Sequence, residues 1–150
     1  MKKSFVVVVA VSAMLVIAWS VGRVHGQLEQ VHAQDKVIFA SADKASFVSS
    51  MAPGVTWAPL WGDNTKGAHG TFSKFAPGVD NGVHTHTSDV WIVVLKGAYL
   101  YKDDAGEKRV GPGDFLRVPG GHKHWSGGDK KEGALFYEEA SGKFDSIPAK

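Results

Sequence analysis

The chain has 150 residues, 43% of them hydrophobic, with 18 glycines, 6 prolines and no cysteine. These values suit one globular, turn-rich domain and exclude disulfides, thiolate ligands and a lipid-modified cysteine. The formal charge of +2 comes from residues 1–33; the remainder carries 14 basic against 14 acidic residues, which gives nucleic-acid binding no electrostatic support.

Lys2 and Lys3 precede an apolar stretch, Phe5 to Val21, in which Ser12 and Ser20 are the only polar residues. A basic start, an apolar run and a small-residue exit predict a secretory signal peptide over residues 1–33. Two exits fit, Val24-His25-Gly26 and Val31-His32-Ala33, so cleavage is expected after residue 26 or 33. An uncleaved anchor is the weaker alternative. Seventeen residues at ~1.5 Å each reach about 26 Å, short of the roughly 30 Å hydrocarbon core. The mature protein is therefore expected in the periplasm or outside the cell, with no membrane span after cleavage.

Residues 35–150 read as a single domain. Val37 to Ala40 predicts a strand, and Ser41 to Met51 a short helix or an arm. Val55 to Gly62 carries Trp57 and Trp61 around Pro59 and suits a core-covering edge segment better than an aromatic binding platform. His69 to Phe75 alternates as a strand. Asp80-Asn81-Gly82 reads as a turn before a histidine strand, followed by the apolar run Val90 to Leu95. Lys96-Gly97 breaks that run, and Ala98 to Lys102 is expected as its hairpin partner. Glu107 to Val110, Phe115 to Val118 and Gly133 to Glu138 complete the strands, with a loop over 119–129. Many short strands between Gly and Pro turns predict an all-β sandwich or barrel.

His84 and His86 stand two apart, so in a strand both imidazoles point to one face. Two imidazoles converging on one point supply half the shell of a divalent transition metal. His124 lies downstream in Gly113 to Gly128, G-D-F-L-R-V-P-G-G-H-K-H-W-S-G-G. His122 reads as a rim residue and His69 as a surface or hairpin histidine. Trp91, Trp125, Tyr99, Tyr101, Phe115 and Phe136 are candidates for a pocket wall, each more often plain core. Arg117 could clamp a carboxylate but is more simply a surface arginine.

The two motifs together resemble the cupin superfamily. Its first motif, G-x5-H-x-H-x3,4-E-x6-G, is met at Gly78, His84, His86 and Gly97; its second, G-x5-P-x-G-x2-H-x3-N, at Gly113, Pro119, Gly121 and His124. The motif's glutamate falls on Val90, with Asp89 one place earlier, and its final Asn falls on Gly128. A one-residue shift turns a strand side chain to the other face, so Asp89 replaces the glutamate only if the strand bulges.

The resemblance implies a cupin-type jelly-roll β-barrel, often a homodimer, with a metal held by His84, His86 and His124. Neutral imidazoles suit Fe, Mn, Ni, Cu or Zn. A three-histidine site with open positions implies a metal-dependent dioxygenase or related oxidoreductase acting on a small organic molecule. The alternative is a non-catalytic binding module for a metal or small ligand. A sugar-nucleotide isomerase is disfavoured because no catalytic His-Asp pair stands apart from the metal set.

Overall fold

A computed structural model describes residues 37–150; the expected signal segment lies outside them. The unit from Phe39 to Lys150 contains eleven strands and no helix among the described residues. They are β1 (Val48–Ser49), β2 (Val55–Gly62), β3 (His69–Phe75), β4 (Asp80–Thr85), β5 (Val90–Gly97), β6 (Tyr99–Asp103), β7 (Gly106–Val110), β8 (Phe115–Val118), β9 (His124–Gly128), β10 (Ala134–Ala140) and β11 (Ile147–Pro148).

Two antiparallel sheets result. The first runs β1-β2-β3-β10-β5-β8 and the second β11-β4-β9-β6-β7. No strand pairing joins the sheet edges, so the expected closed barrel is a two-sheet sandwich.

Period-two alternation builds the core. On β5, Val90, Ile92 and Val94 are buried while Trp91 and Val93 are half-buried on the opposite face. Phe75, Tyr99, Val118 and Phe136 join them in one cluster. Phe75 stacks on Tyr99 at 5.3 Å and meets Phe136 edge-on at 4.9 Å. Each such side chain contributes about 1.5–3 kcal/mol on burial.

Several expected elements differ. Val37 to Ala40 forms no strand, and Val37 and Phe39 are exposed. Ser41 to Met51 is an arm with the two-residue β1, not a helix. Pro59, which has no N–H to donate, sits at a register shift in the β2–β3 pairing. Trp61 packs over Gly70 and donates to the Tyr137 hydroxyl at 3.1 Å, consistent with a covering segment.

Asp80 to Gly82 belongs to β4. A register shift against β9 falls between Asp80 and Val83, and Gly82 takes a positive φ of 68°. β6 does not pair with β5 but with β7 and β9. The reason lies at Gly97, whose φ of 69° is left-handed and whose α-carbon faces the Gly133 carbonyl too closely for a β-carbon. The next residue, Ala98, donates to that same carbonyl at 2.9 Å, and the chain crosses to the second sheet. The expected loop over 119–129 contains β9, the strand that carries the third histidine.

Candidate metal centre

Two strands and one loop bring the histidines together. His84 on β4 pairs directly with His124 on β9, and directly opposed residues hold their side chains within contact. His86 lies just beyond β4, where its carbonyl accepts the Gly121 N–H at 2.7 Å. All three residues are buried, and one ligand nitrogen from each lies within 4.8 Å of the others. Ring centroids are 4.4 Å apart for His84–His124, 4.9 Å for His84–His86 and 5.4 Å for His86–His124.

Hydrogen bonds fix the direction of each ring. Nδ1 of His84 lies 2.9 Å from the Gly82 carbonyl and Nδ1 of His124 lies 3.0 Å from the His122 carbonyl. Nδ1 of His86 meets the Asp145 carbonyl. A carbonyl only accepts, so each neutral ring carries its proton on Nδ1 and leaves the Nε2 lone pair free. This is how imidazoles are oriented toward a metal by outer partners. His124 Nε2 is buried with no hydrogen-bond partner among the described residues. An orphaned lone pair is costly unless something fills its position, so the residues fit a bound cation. Burial lowers the pKa of His86 and brings that of His124 to about 4, which keeps both rings neutral and able to bind.

The surroundings stiffen this arrangement. Tyr101 stacks on His124 at 5.5 Å with an interplanar angle of 18°. Its hydroxyl donates to Asp103 at 2.9 Å, and His122 Nε2 reaches the same carboxylate oxygen at 3.1 Å. His122 is thus an exposed rim residue whose backbone carbonyl, not its ring, serves the site. The Asp145 carboxylate accepts from the Thr87 N–H at 2.8 Å and from the Thr87 hydroxyl, which holds its carbonyl on His86. Gly82 and Asp145 were not visible as site residues in the sequence, and His122 was read only as a rim residue, because all three act through main-chain oxygens.

Residues 35–144 match the ChrR cupin-like domain family. The chain belongs to that family. No curated protein sequence matches it. Among solved structures, the cupin is similar to the polyketide cyclase RemF from Streptomyces resistomycificus. The TM-score is 0.64 at 19% identity, over 77% of this chain and 87% of the other. It is also similar to KdgF from Halomonas sp., with TM-score 0.57 at 17% identity over 71% and 94% of the two chains. A third likeness is to Rhodobacter sphaeroides SigE in complex with the anti-sigma ChrR, with TM-score 0.53 at 19% identity over 66% and 50%. At these identities the shared property is the fold.

The other candidate residues of the cupin fall elsewhere. Asp89 is not with the histidines. It accepts from Arg117 at 2.6 Å and from the Gly120 N–H at 2.8 Å. Arg117 is exposed, as expected, and its carboxylate partner is this surface aspartate. Val90, at the motif's glutamate position, is buried in the apolar cluster.

His69 is buried rather than on the surface. Its Nδ1 lies 3.0 Å from the Gly67 carbonyl and 3.1 Å from the Gly142 carbonyl, and its ring meets Phe144 edge-on. It is not among the grouped imidazoles. Tyr99, Tyr101 and Phe136 face the interior, whereas Phe115 is exposed and Trp91 half-buried. Trp125 donates to Asp80 at 2.6 Å and lines, with Val83 and Leu100, a groove of about 590 Å³. None of the three histidines lines that groove.

Proposed function

We propose that this cupin holds one divalent transition ion on His84, His86 and His124 and acts as a metal-dependent dioxygenase or related oxidoreductase on a small organic molecule. The observation that carries the reading is the buried, unpartnered Nε2 of His124 beside two imidazoles whose Nδ1 atoms are equally committed to carbonyls. Three neutral donors on one side leave coordination positions open to a ligand. The ion, when bound, supplies Lewis acidity to oxygen ligands. The chain's own part is to hold three rings rigidly, keep His86 and His124 neutral and shield the set from bulk water. Fe, Mn, Ni, Cu and Zn all suit this donor set.

Export completes the proposal. The basic start and the apolar run to Val21 support a mature protein in the periplasm or outside the cell.

A second reading, a metal- or ligand-sensing module without turnover, is favoured by the family match and by the likeness to the SigE–ChrR complex. Elemental analysis of protein purified from the exported fraction, followed by an oxygen-uptake screen over small organic acids and phenols, separates the two. Stoichiometric metal with oxygen consumption supports the enzyme. Stoichiometric metal without turnover supports the sensor, and protein that binds no metal overturns both.

A further inference from the structure

The interior wall opposite the histidines carries a carboxyl group that the metal centre does not use. On β10, Phe136 and Ala140 face inward and are almost fully buried, at 0% and 2% exposure. Glu138 lies between them in the period-two pattern and therefore shares their face. Tyr137 and Glu139 point outward, where the Tyr137 hydroxyl donates to Glu139 at 3.0 Å. Glu138 pairs in register with Thr71 on β3 and with Ile92 on β5, both of them buried. Its half-buried carboxyl has no hydrogen bond or counter-charge among the described residues. It still retains some accessible surface, and its strand phase turns it toward the space between the sheets.

Polar groups line both walls of that space. The Thr71 and Ser73 hydroxyls, buried on β3, lie 3.0 Å apart. On the second sheet Ser126 is buried and accepts from Asn81 at 3.0 Å, and Tyr99 is close enough to feel the charge of Glu138. The carboxylate stands outside the group of nitrogens gathered within 4.8 Å.

We infer that Glu138 is the proton acceptor of this interior, taking the hydroxyl proton of a small, neutral, hydroxyl-bearing molecule bound between it and the three histidines. The substrate O–H bond breaks and an O–H bond forms on Glu138. The electron pair stays on the substrate oxygen and no oxidant is consumed. The inference rests on the metal-binding reading above, because the ion is what makes such a hydroxyl acidic. Burial pushes the Glu138 carboxyl up to about 7, which suits an acceptor working near neutral pH. The titratable groups that share the interior are His69 on β3, Tyr99 and Tyr101 on β6 and the three imidazoles, while β5 contributes only Val90, Ile92 and Val94. Burial raises both tyrosines, so neither competes as an acceptor.

The test uses the zinc-loaded full chain and acetohydroxamate, a small neutral molecule that loses its hydroxyl proton on binding a metal. Calorimetric titration at pH 8 in two buffers of different ionisation enthalpy counts the protons released. Wild type should retain the proton, and Glu138→Gln, with unchanged zinc content, should release about one more per site. Wild type alone should also change, releasing about one proton at pH 6, where Glu138 is already protonated, and fewer at pH 8. Equal release by wild type and Glu138→Gln, or a count for wild type that ignores pH, overturns the assignment. Failure of wild type to take up zinc overturns the metal reading, and this inference with it. Zinc uptake without acetohydroxamate binding overturns the inference alone.

Discussion

His84 and His124 face each other across the β4–β9 pairing with ring centroids 4.4 Å apart, and both commit Nδ1 to a carbonyl two residues earlier in the chain. The same local device is used twice, so these two rings are oriented by their own strands. His86 depends instead on Asp145, 59 residues away.

Removing one imidazole should therefore cost the metal but not the fold. His86→Ala is expected to lose more than about 100-fold in zinc or cobalt affinity, beyond the 10–100-fold typical of outer partners. Circular dichroism should be unchanged, because the apolar cluster does not include the histidines. Metal stoichiometry after dialysis against a weak chelator checks this.

Asp145→Ala leaves the backbone acceptor of His86 in place but frees it from Thr87. Metal affinity should fall about tenfold, the usual cost of loosening an outer partner. Asp145→Asn retains an acceptor for the Thr87 N–H and should lose less. The same dialysis experiment ranks the three proteins.

Asp89→Ala should leave metal content unchanged, since its carboxylate is bound to Arg117 and Gly120. The ion pair is partly exposed, and its loss should cost no more than about 1 kcal/mol. Denaturant unfolding with parallel metal analysis measures both. A drop in metal content would place Asp89 among the ligands.

The two buried imidazoles should make the apoprotein less stable in acid. His86 and His124 have lowered pKa values in the fold, because burial disfavours the charged ring. The unfolded chain, with imidazoles near 6.5, then binds more protons, so stability falls as pH drops. The histidine contribution is fully present above about 6.5 and is lost as pH falls through the value of about 4 at His124. Glu138, whose carboxyl burial pushes up to about 7, acts in the opposite sense, so thermal unfolding of the metal-free Glu138→Gln protein between pH 8 and pH 4 should show this decline. A flat profile would contradict it.

Gly97→Ala should destabilise by at least about 1–2 kcal/mol, the cost of a left-handed backbone for a residue with a β-carbon. The new atom would also stand 2.3 Å from the Gly133 carbonyl oxygen. Chemical denaturation reads the loss directly.

The three-histidine cluster was legible because His84 and His86 share a face by periodicity, and the cupin motif sets His124 at a fixed distance from Pro119 and Gly121. The alternation of β3 and the apolar run of β5 were enough to mark two strands of the first sheet. β9 was hidden because its residues after Trp125 are Ser126, Gly127 and Gly128, with no apolar pattern to read. They are small for a tertiary reason, since a β-carbon at Gly127 would lie 2.5 Å from the Val79 carbonyl oxygen. The β5–β6 hairpin failed because adjacency in sequence favours pairing, whereas the contact between Gly97 and Gly133 belongs to the assembled sandwich. Glu138 was passed over because Glu138-Glu139 reads as a solvated strand end. Phase taken from Phe136 turns the first of the pair inward.

The tie from Asp145 to His86, with β11 laid beside His84 and Thr85, has a temporal meaning. A contact spanning 59 residues forms only once both ends of that span are present. While the chain is being made or threaded, His84 and His86 exist long before Asp145 emerges, and until it docks one ring lacks its restraint. On the metal-binding reading proposed above, the complete three-histidine centre is therefore a property of the finished molecule. A half-made chain presents only loosely held histidines, and metal capture becomes a marker that the C-terminal end has found its place.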